Sequence, residues 1–596
     1  MPASAKRTSP ASSKGLPRWN LSGLLANPEK DFVSLTKQME KDVKSLEAQR
    51  KNLRNSISPQ QFLKALKTSE ALTSLASRLA AFSQLWFAEN TKNQGARAFE
   101  AKVKDQLTRL GNRTLFFDLW WQQLDTRHAT RLLKHAGDFR YYLESLRRLK
   151  DHTLTEPEER IVNLKNTTGR GALDSLYDVM TNGFSFSLRI KGSVKKLNRE
   201  QLSSFVRHPS ASVRKATYQE LLGVYGSQSD VLGEIYKSLV LDWKNEGELR
   251  TYPSPVSIRN ISNDIPDPVV TTLLKCCRKN RQIFQDYFRI KGKLCGLRKM
   301  TRYDIYAPQQ GEKSSYPFQQ AVRLVFDAYQ QFSPTLAELA RRVLEERHLD
   351  AKPANGKMGG AFCYSVHPER TPYVLLNYNG DARDIATLAH ELGHAVHSML
   401  AKQHSIFTFH ATLPLAETAS VFGEQLLSQA LLQDATNLCV KQRLLLSQLD
   451  DLYATIMRQA YFVEFENQAH SMIAQGATLD AIANTYQNLL REQFGKAVPV
   501  GNEFQWEWLT IPHIYRSPFY CYAYSFGNLL VLALYQQYQE EGASFIPKYI
   551  RLLSQGGSQS PQDMLTPLGV DMMSEKFWQG GFNYIKRMVQ TLEHTL

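Results

Sequence analysis

Apolar residues recurring every three or four positions dominate this chain, and they restrict it to an architecture of packed amphipathic helices. Between residues 31 and 46 the series is Phe32, Leu35, Met39, Val43 and Leu46, and a second series runs Leu72, Leu75, Leu79, Phe82 and Trp86. Ser58-Pro59 marks the turn region between them, so the two read as an antiparallel helical hairpin contributing to a bundle core. Helical spacing continues through residues 141–149 and is broken at Gly169-Arg170-Gly171. Phe184, Phe186, Leu188 and Ile190 alternate as in a short strand, and helical spacing resumes near Arg199. The expected organisation is a disordered tail over residues 1–15, an N-terminal helical domain over 16–200 and a second domain over 201–596.

Composition narrows the classes of function. The longest apolar run, residues 529–535, is far short of the roughly 20 residues that cross a bilayer, and the first residues lack the apolar stretch of a secretory signal. No membrane partner is expected. Six cysteines show neither a disulfide framework nor paired zinc-ribbon spacing, which fits a reducing cytoplasm. The net charge of +16 is spread over short stretches such as Arg147-Arg148-Leu149-Lys150 and Lys195-Lys196, without a nucleic-acid motif, and reads as a solvated basic surface. The segment 351–360 carries Gly356, Gly359 and Gly360 but not the spacing of a phosphate-binding loop; it reads as a flexible or substrate-near loop.

The chemistry concentrates after a strand at Tyr373-Val374-Leu375-Leu376-Asn377-Tyr378, a turn at Asn379-Gly380 and a long helix starting near Asp381 or Asp384. Ile385, Leu388, Leu392, Ala395 and Met399 form its apolar stripe, while His390 and His394, one turn apart, point the same way. Two imidazoles at this spacing can supply two corners of a zinc tetrahedron. Glu391 between them is placed to take a proton from a metal-activated water attacking a carbonyl and to pass it to the leaving amine. Glu417 and Glu424 lie two turns apart on the face of a following helix, 23 and 30 positions beyond His394, with enough chain between to bring a ligand back to the metal. Glu424 would take the other N–H of a ligand histidine and fix its tautomer, or else serve as an ordinary ion-pair partner. His397 faces the same side but reads as structural; His404 and His410 have no spacing argument in their favour.

The series Thr387-Leu388-Ala389-His390-Glu391-Leu392-Gly393-His394-Ala395-Val396-His397-Ser398, followed by Leu415-Ala416-Glu417-Thr418-Ala419-Ser420 and Glu424, resembles the paired metal motif of the thimet oligopeptidase family of zinc metallopeptidases, in its oligoendopeptidase F branch. Arg259-Asn260, Asn263-Asp264-Ile265-Pro266-Asp267, Arg302-Tyr303-Asp304-Ile305-Tyr306-Ala307-Pro308 and Gly359-Gly360-Ala361-Phe362 extend the likeness over about residues 200–590. The resemblance implies Glu417 as third ligand and one Zn2+ per chain. It also implies a mainly α, zincin-like fold, with two helical parts enclosing a deep substrate channel and a small β-sheet beside the zinc-binding helix. In the run from His513 to Gly527 it implies a histidine and tyrosines facing the substrate: Tyr524 donating to the developing oxyanion, His513 holding substrate or intermediate, Tyr522 as a neighbour. The expected function is endopeptidase action on oligopeptides, an extended peptide pairing with the strand at 373–378. A carboxypeptidase or dipeptidyl carboxypeptidase, and a non-catalytic peptide-binding protein, are the alternatives; Glu391 argues against the last, since a binder has no need of a base.

Overall fold

The computed structural model describes residues 15–190, 192–309 and 315–596. The tail expected at 1–15 lies outside them apart from Gly15. Three long helices open the chain: α1 (Pro28–Gln49), α2 (Pro59–Glu89) and α3 (Gln94–Gln123). Ser58 caps α2 through a capping box with Gln61, and Pro59 takes the first helical position, where its missing N–H costs nothing. The apolar stripes meet as their spacing predicts. Phe32, Met39 and Val43 pack with Leu79, Phe82 and Leu85 and with Phe99 and Val103, and the same cluster continues into Val366, Tyr373 and Leu375 more than 250 positions later. The N-terminal helices therefore cover one side of the small sheet that borders the cavity described below.

Strand β1 (Phe186–Ile190) pairs antiparallel with β2 (Ser193–Leu197). The second strand escapes a pattern reading because four of its five residues are exposed, so its lysines register only as charge. Helices α4 (Pro255–Asn263) and α5 (Phe318–Phe332) precede a three-stranded sheet of β3 (Leu349–Asp350), β4 (Phe362–Tyr364) and β5 (Tyr373–Leu375), in the order β3-β5-β4. β5 is parallel to β3 and antiparallel to β4. The strand expected over 373–378 is thus shorter, and its place in the sheet corrects the expectation that substrate pairs with it: β5 is central and its backbone is engaged on both sides. The open edge belongs to β4. The glycine-bearing loop before β4 is pinned rather than loose, since Met358 N–H donates to Ala88 O (2.9 Å), Thr91 N–H to Gly356 O (2.7 Å) and Asn377 Nδ2 to Gly360 O (2.9 Å).

The C-terminal half is helical throughout its core, and four helices bear on the site: α6 (Ala382–Leu400), α7 (Thr418–Asp434), α8 (Arg458–Ala474) and α10 (Tyr522–Glu541), with the short α9 (Pro512–Arg516) before the last. The expected architecture, mainly α with a small sheet beside the helix carrying the histidine pair, is the architecture observed. Among the described residues no helix is long and apolar enough to cross a membrane.

Candidate active site

Helix α6 starts where its capping chemistry dictates. Asp381 accepts from the N–H groups of Arg383 (3.0 Å) and Asp384 (3.1 Å), and the Asp384 carboxylate accepts in return from Asn379 (2.6 Å) and Gly380 (2.7 Å). Ile385, Leu388, Leu392, Ala395 and Met399 are buried, which rotates His390 and His394 toward a cavity of about 390 Å³. Gly393 makes the next step possible: a Cβ there would lie 2.6 Å from both Ala419 O and Ser420 Cα, so only glycine lets α7 cross α6 this closely. The crossing brings in Glu417, which immediately precedes α7. Its Oε2 lies 3.3 Å from His390 Nε2 and 3.5 Å from His394 Nε2, and the three potential ligand atoms all fall within 4.8 Å of one another. Ser420 Oγ donates to the same carboxylate oxygen (2.8 Å).

Glu424, two turns along α7, meets His390 Nδ1 at 2.5 Å. With Nδ1 engaged there, Nε2 is the nitrogen left to face the cavity. The electrostatics favour a cation. Burial alone would lower His390, yet its contacts with Glu417 and Glu424 raise it well above the ordinary histidine value. His394, 3.5 Å from Glu417, is pushed down to about 4 by burial, with the charge of Glu417 opposing, and stays neutral, as a metal ligand must. Against burial, contact with the two histidines holds Glu417 down at about 2. Two imidazoles and an ionised carboxylate form an N/O donor set that suits zinc, and the residues present fit that ion. Glu391, buried beside them, is pushed up to about 7 by burial, with the charges of Glu417 and Glu424 adding and that of His390 opposing.

The aromatic run divides sharply. Tyr524 Oη lies 3.4 Å from His513 Nε2, and the ring of Tyr520 stacks on His513 at 5.9 Å and meets Tyr524 edge-on at 5.4 Å. This group lies against the histidine–carboxylate cluster, because a Cβ at Gly527, one turn beyond Tyr524, would come within 3.2 Å of Glu417 Cβ. Burial raises the Tyr524 phenol, so it remains a donor, and lowers His513 together with the charges of Arg516 and Arg458. Tyr522 is different. It is fully buried in the main core and its Oη accepts from Asn263 Nδ2 of α4 at 2.7 Å, which removes it from the cavity and from the substrate-contacting place expected for it. Residues 522 and 524 sit about 200° apart around a helix, whereas Tyr520, in the turn before α10, reaches Tyr524 by direct ring contact.

The cavity is also lined by Cys363, Ser365 and Phe409, which carry no sequence signal, and by His397 and His410, of which His397 reads from the sequence as structural. Cys363 and Ser365 flank the open edge at β4, and His397, Phe409 and His410 close one end of the cavity. Burial holds His397 and His410 down at about 4, and His397 Nε2 has no hydrogen-bond partner among the described residues. No spacing signal could have assigned His410, which reaches the cavity through a loop. His404 ties distant parts of the chain together, with Nδ1 at 2.6 Å from Asp138 and Nε2 at 2.9 Å from Ser554 O.

A helix with paired histidines, crossed by a second helix that returns a glutamate and bordered by a small sheet with one open edge, defines a zincin-like peptidase fold. Comparison with known proteins makes this specific. The family model "Peptidase family M3" matches residues 204–584 and the model "Oligopeptidase F" matches 120–186; the chain belongs to peptidase family M3, in its oligoendopeptidase F branch. An oligoendopeptidase F homolog of Borreliella burgdorferi is 26% identical over 97% of this chain and 98% of its own. Oligopeptidase PepF of Bacillus subtilis is 25% identical over 89% and 80%. Among solved structures, a protein of Chlamydophila abortus superposes with a TM-score of 0.85 at 24% identity, covering 97% of this chain and 98% of that one. Oligoendopeptidase-F of Enterococcus faecium gives 0.72 at 20% identity, covering 95% and 99%.

Proposed function

We propose that this chain is a zinc-dependent endopeptidase that hydrolyses internal bonds of oligopeptides, with His390, His394 and Glu417 holding one zinc ion. The observation that carries this reading is the convergence of those three ligand atoms within 4.8 Å at the wall of a cavity that Glu391 also lines. When bound, zinc supplies Lewis-acid polarisation of the scissile carbonyl and acidifies water. The protein supplies the rest. Glu391, with a proton affinity near neutrality, takes the proton of the attacking water and returns it to the departing amine. Tyr524 donates its phenol proton to the oxyanion that develops on the carbonyl, and His513, neutral and 3.4 Å away, orients that phenol and the substrate. Glu424 keeps His390 in the tautomer that binds metal.

An extended peptide adds to the open edge of β4, which crosses the cavity beside Glu391. Of the two peptidase readings, we favour the endopeptidase over the carboxypeptidase. The names of the relatives, oligoendopeptidase F and oligopeptidase, support the same choice. A division near residue 200 into an N-terminal helical part and a catalytic part belongs to the proposal and is supported by the two separately matched segments. So does a reducing, cytoplasmic setting, in keeping with six free cysteines.

The test is hydrolysis of internally quenched peptides, blocked or free at each end, before and after chelation and after zinc restoration. Metal-dependent cleavage of doubly blocked peptides supports the reading. Cleavage confined to peptides with a free C-terminus makes the enzyme a carboxypeptidase, and absence of cleavage by zinc-loaded protein overturns catalysis.

A further inference from the structure

The turn between α9 and α10, which leads into Tyr520 and Tyr524, has a backbone its sequence does not favour. Tyr520 N–H donates to Ser517 O (3.1 Å), closing a four-residue turn with Pro518 second and Phe519 third, and Phe519 has φ of +58°. A positive φ behind a proline is the mark of a type II turn, whose third position suits glycine or asparagine and resists a bulky aromatic residue. The type I alternative differs mainly by rotation of one peptide group, the one joining Pro518 to Phe519, and would return Phe519 to an ordinary negative φ.

That peptide group is gripped at both ends. Its carbonyl, Pro518 O, accepts from Arg259 Nε (3.3 Å), and its N–H, on Phe519, donates to Glu466 Oε1 (2.7 Å). A cation faces the oxygen and a carboxyl oxygen faces the hydrogen, matching the peptide dipole; the rotated peptide would point each end at the wrong partner. Glu466, on α8, is fully buried, and its other oxygen has no partner, so the Phe519 N–H is the one hydrogen bond it makes among the described residues. Arg259 lies on α4 over the Trp243 ring at 5.9 Å. Ser257 and Asn260 of that helix bond Asp267 at 2.5 and 2.8 Å, and its Asn263 holds Tyr522. The grip therefore comes from two helices that contribute nothing to the histidine–carboxylate cluster.

We propose that Glu466 and Arg259 are positioning residues that lock the 518–519 peptide in its type II orientation, so that Tyr520, Tyr524 and His513 are held ready at the metal site. This inference rests on the proposed reading of that site as a peptidase centre. Without the clamp the turn samples both orientations, the phenol of Tyr524 is in place only part of the time, and the loss falls on the chemical step rather than on substrate affinity.

The test compares Glu466→Leu with Glu466→Gln, whose amide carbonyl still accepts from the Phe519 N–H. On a quenched peptide, Glu466→Leu is expected to lower kcat by about tenfold or more with KM and bound zinc little changed, while Glu466→Gln retains kcat. A second arm separates backbone from packing: in the Glu466→Leu background, Phe519→Gly and Phe519→Ala both lose the ring, but only glycine accepts positive φ freely, so Gly should give the higher kcat. Amide hydrogen exchange over residues 517–524, faster in Glu466→Leu than in Glu466→Gln, reads the clamp even if the protein cleaves no peptide. Unchanged kcat in a folded, zinc-loaded Glu466→Leu, or equal losses in the Leu and Gln variants, would overturn the proposal. Inactivity of the wild-type protein would instead sink the peptidase reading while leaving the exchange result to judge the clamp.

Discussion

Two buried glutamates, one in each half of the site, divide its labour. Glu391 on α6 is pushed up to about 7 and lines the cavity; Glu466 on α8 is pushed up to about 8 and accepts from the Phe519 N–H. Burial raises both, so the shift by itself does not say which takes part in chemistry. What separates them is access: one meets open space next to three potential ligand atoms, the other a backbone donor in the core. The same contrast runs through the neighbouring side chains, since Glu417 and Glu424 touch His390 directly whereas Arg259 acts on the tyrosines through a turn.

The largest effect should come from breaking this contrast at its chemical end. Glu391→Gln keeps the shape and removes the base, and kcat on a quenched peptide is expected to fall by roughly 10²–10⁴-fold with zinc content retained, as measured by atomic absorption. If the Gln variant keeps full activity, Glu391 is no base and the two glutamates are alike. Next comes Tyr524→Phe, which removes the phenol donor and is expected to lower kcat on the order of 10²–10³-fold at nearly constant KM. A KM effect alone would make Tyr524 a binding residue. Below that, Glu424→Gln should weaken zinc binding by roughly 10–100-fold in a chelator competition, because the His390 tautomer is then held by a poorer acceptor.

These effects fall on residues of unequal legibility in the sequence. His390, Glu391 and His394 were legible because a regular helix converts spacing into direction, and Glu424 because it shares a face with Glu417 on the next helix. Apolar periodicity marks the helices, and glycine and proline mark the break at Gly169 and the turn at Ser58-Pro59. Strand β2 was hidden by its exposure, and the central place of β5 by a partner, β3, that is only two residues long. Tyr522 departs from its expected place for a different reason: proximity in a tyrosine-rich run says nothing of facing until the start of α10 is fixed, and that start follows a turn whose left-handed Phe519 no local propensity favours. Tyr522→Phe sharpens the point. It should leave kcat unchanged and lower unfolding free energy by about 1–3 kcal/mol in urea, because Asn263 Nδ2 loses its buried acceptor. A fall in kcat without a fall in stability would return Tyr522 to the substrate.

The smallest effect on activity belongs to Glu466→Gln, and its signature lies in stability against pH. A carboxyl whose pKa rises from the ordinary 4.5 to about 8 in the folded protein binds its proton more tightly there than in the unfolded chain. Its contribution to stability is complete below about pH 4.5 and is lost as pH rises toward 8, because unfolding then releases the proton. Glutamine has no such proton to lose. Relative to wild type, Glu466→Gln should therefore gain stability steadily between about pH 5 and pH 8, by a total on the order of a few kcal/mol, with kcat unaffected. Denaturation midpoints across that range decide the matter. Parallel curves for the two proteins would mean that Glu466 is ionised in the fold and holds the Phe519 N–H as a carboxylate. A growing gap would mean that a neutral acid suffices as the clamp, which is the condition under which glutamine can replace it and which the base role proposed for Glu391 does not allow.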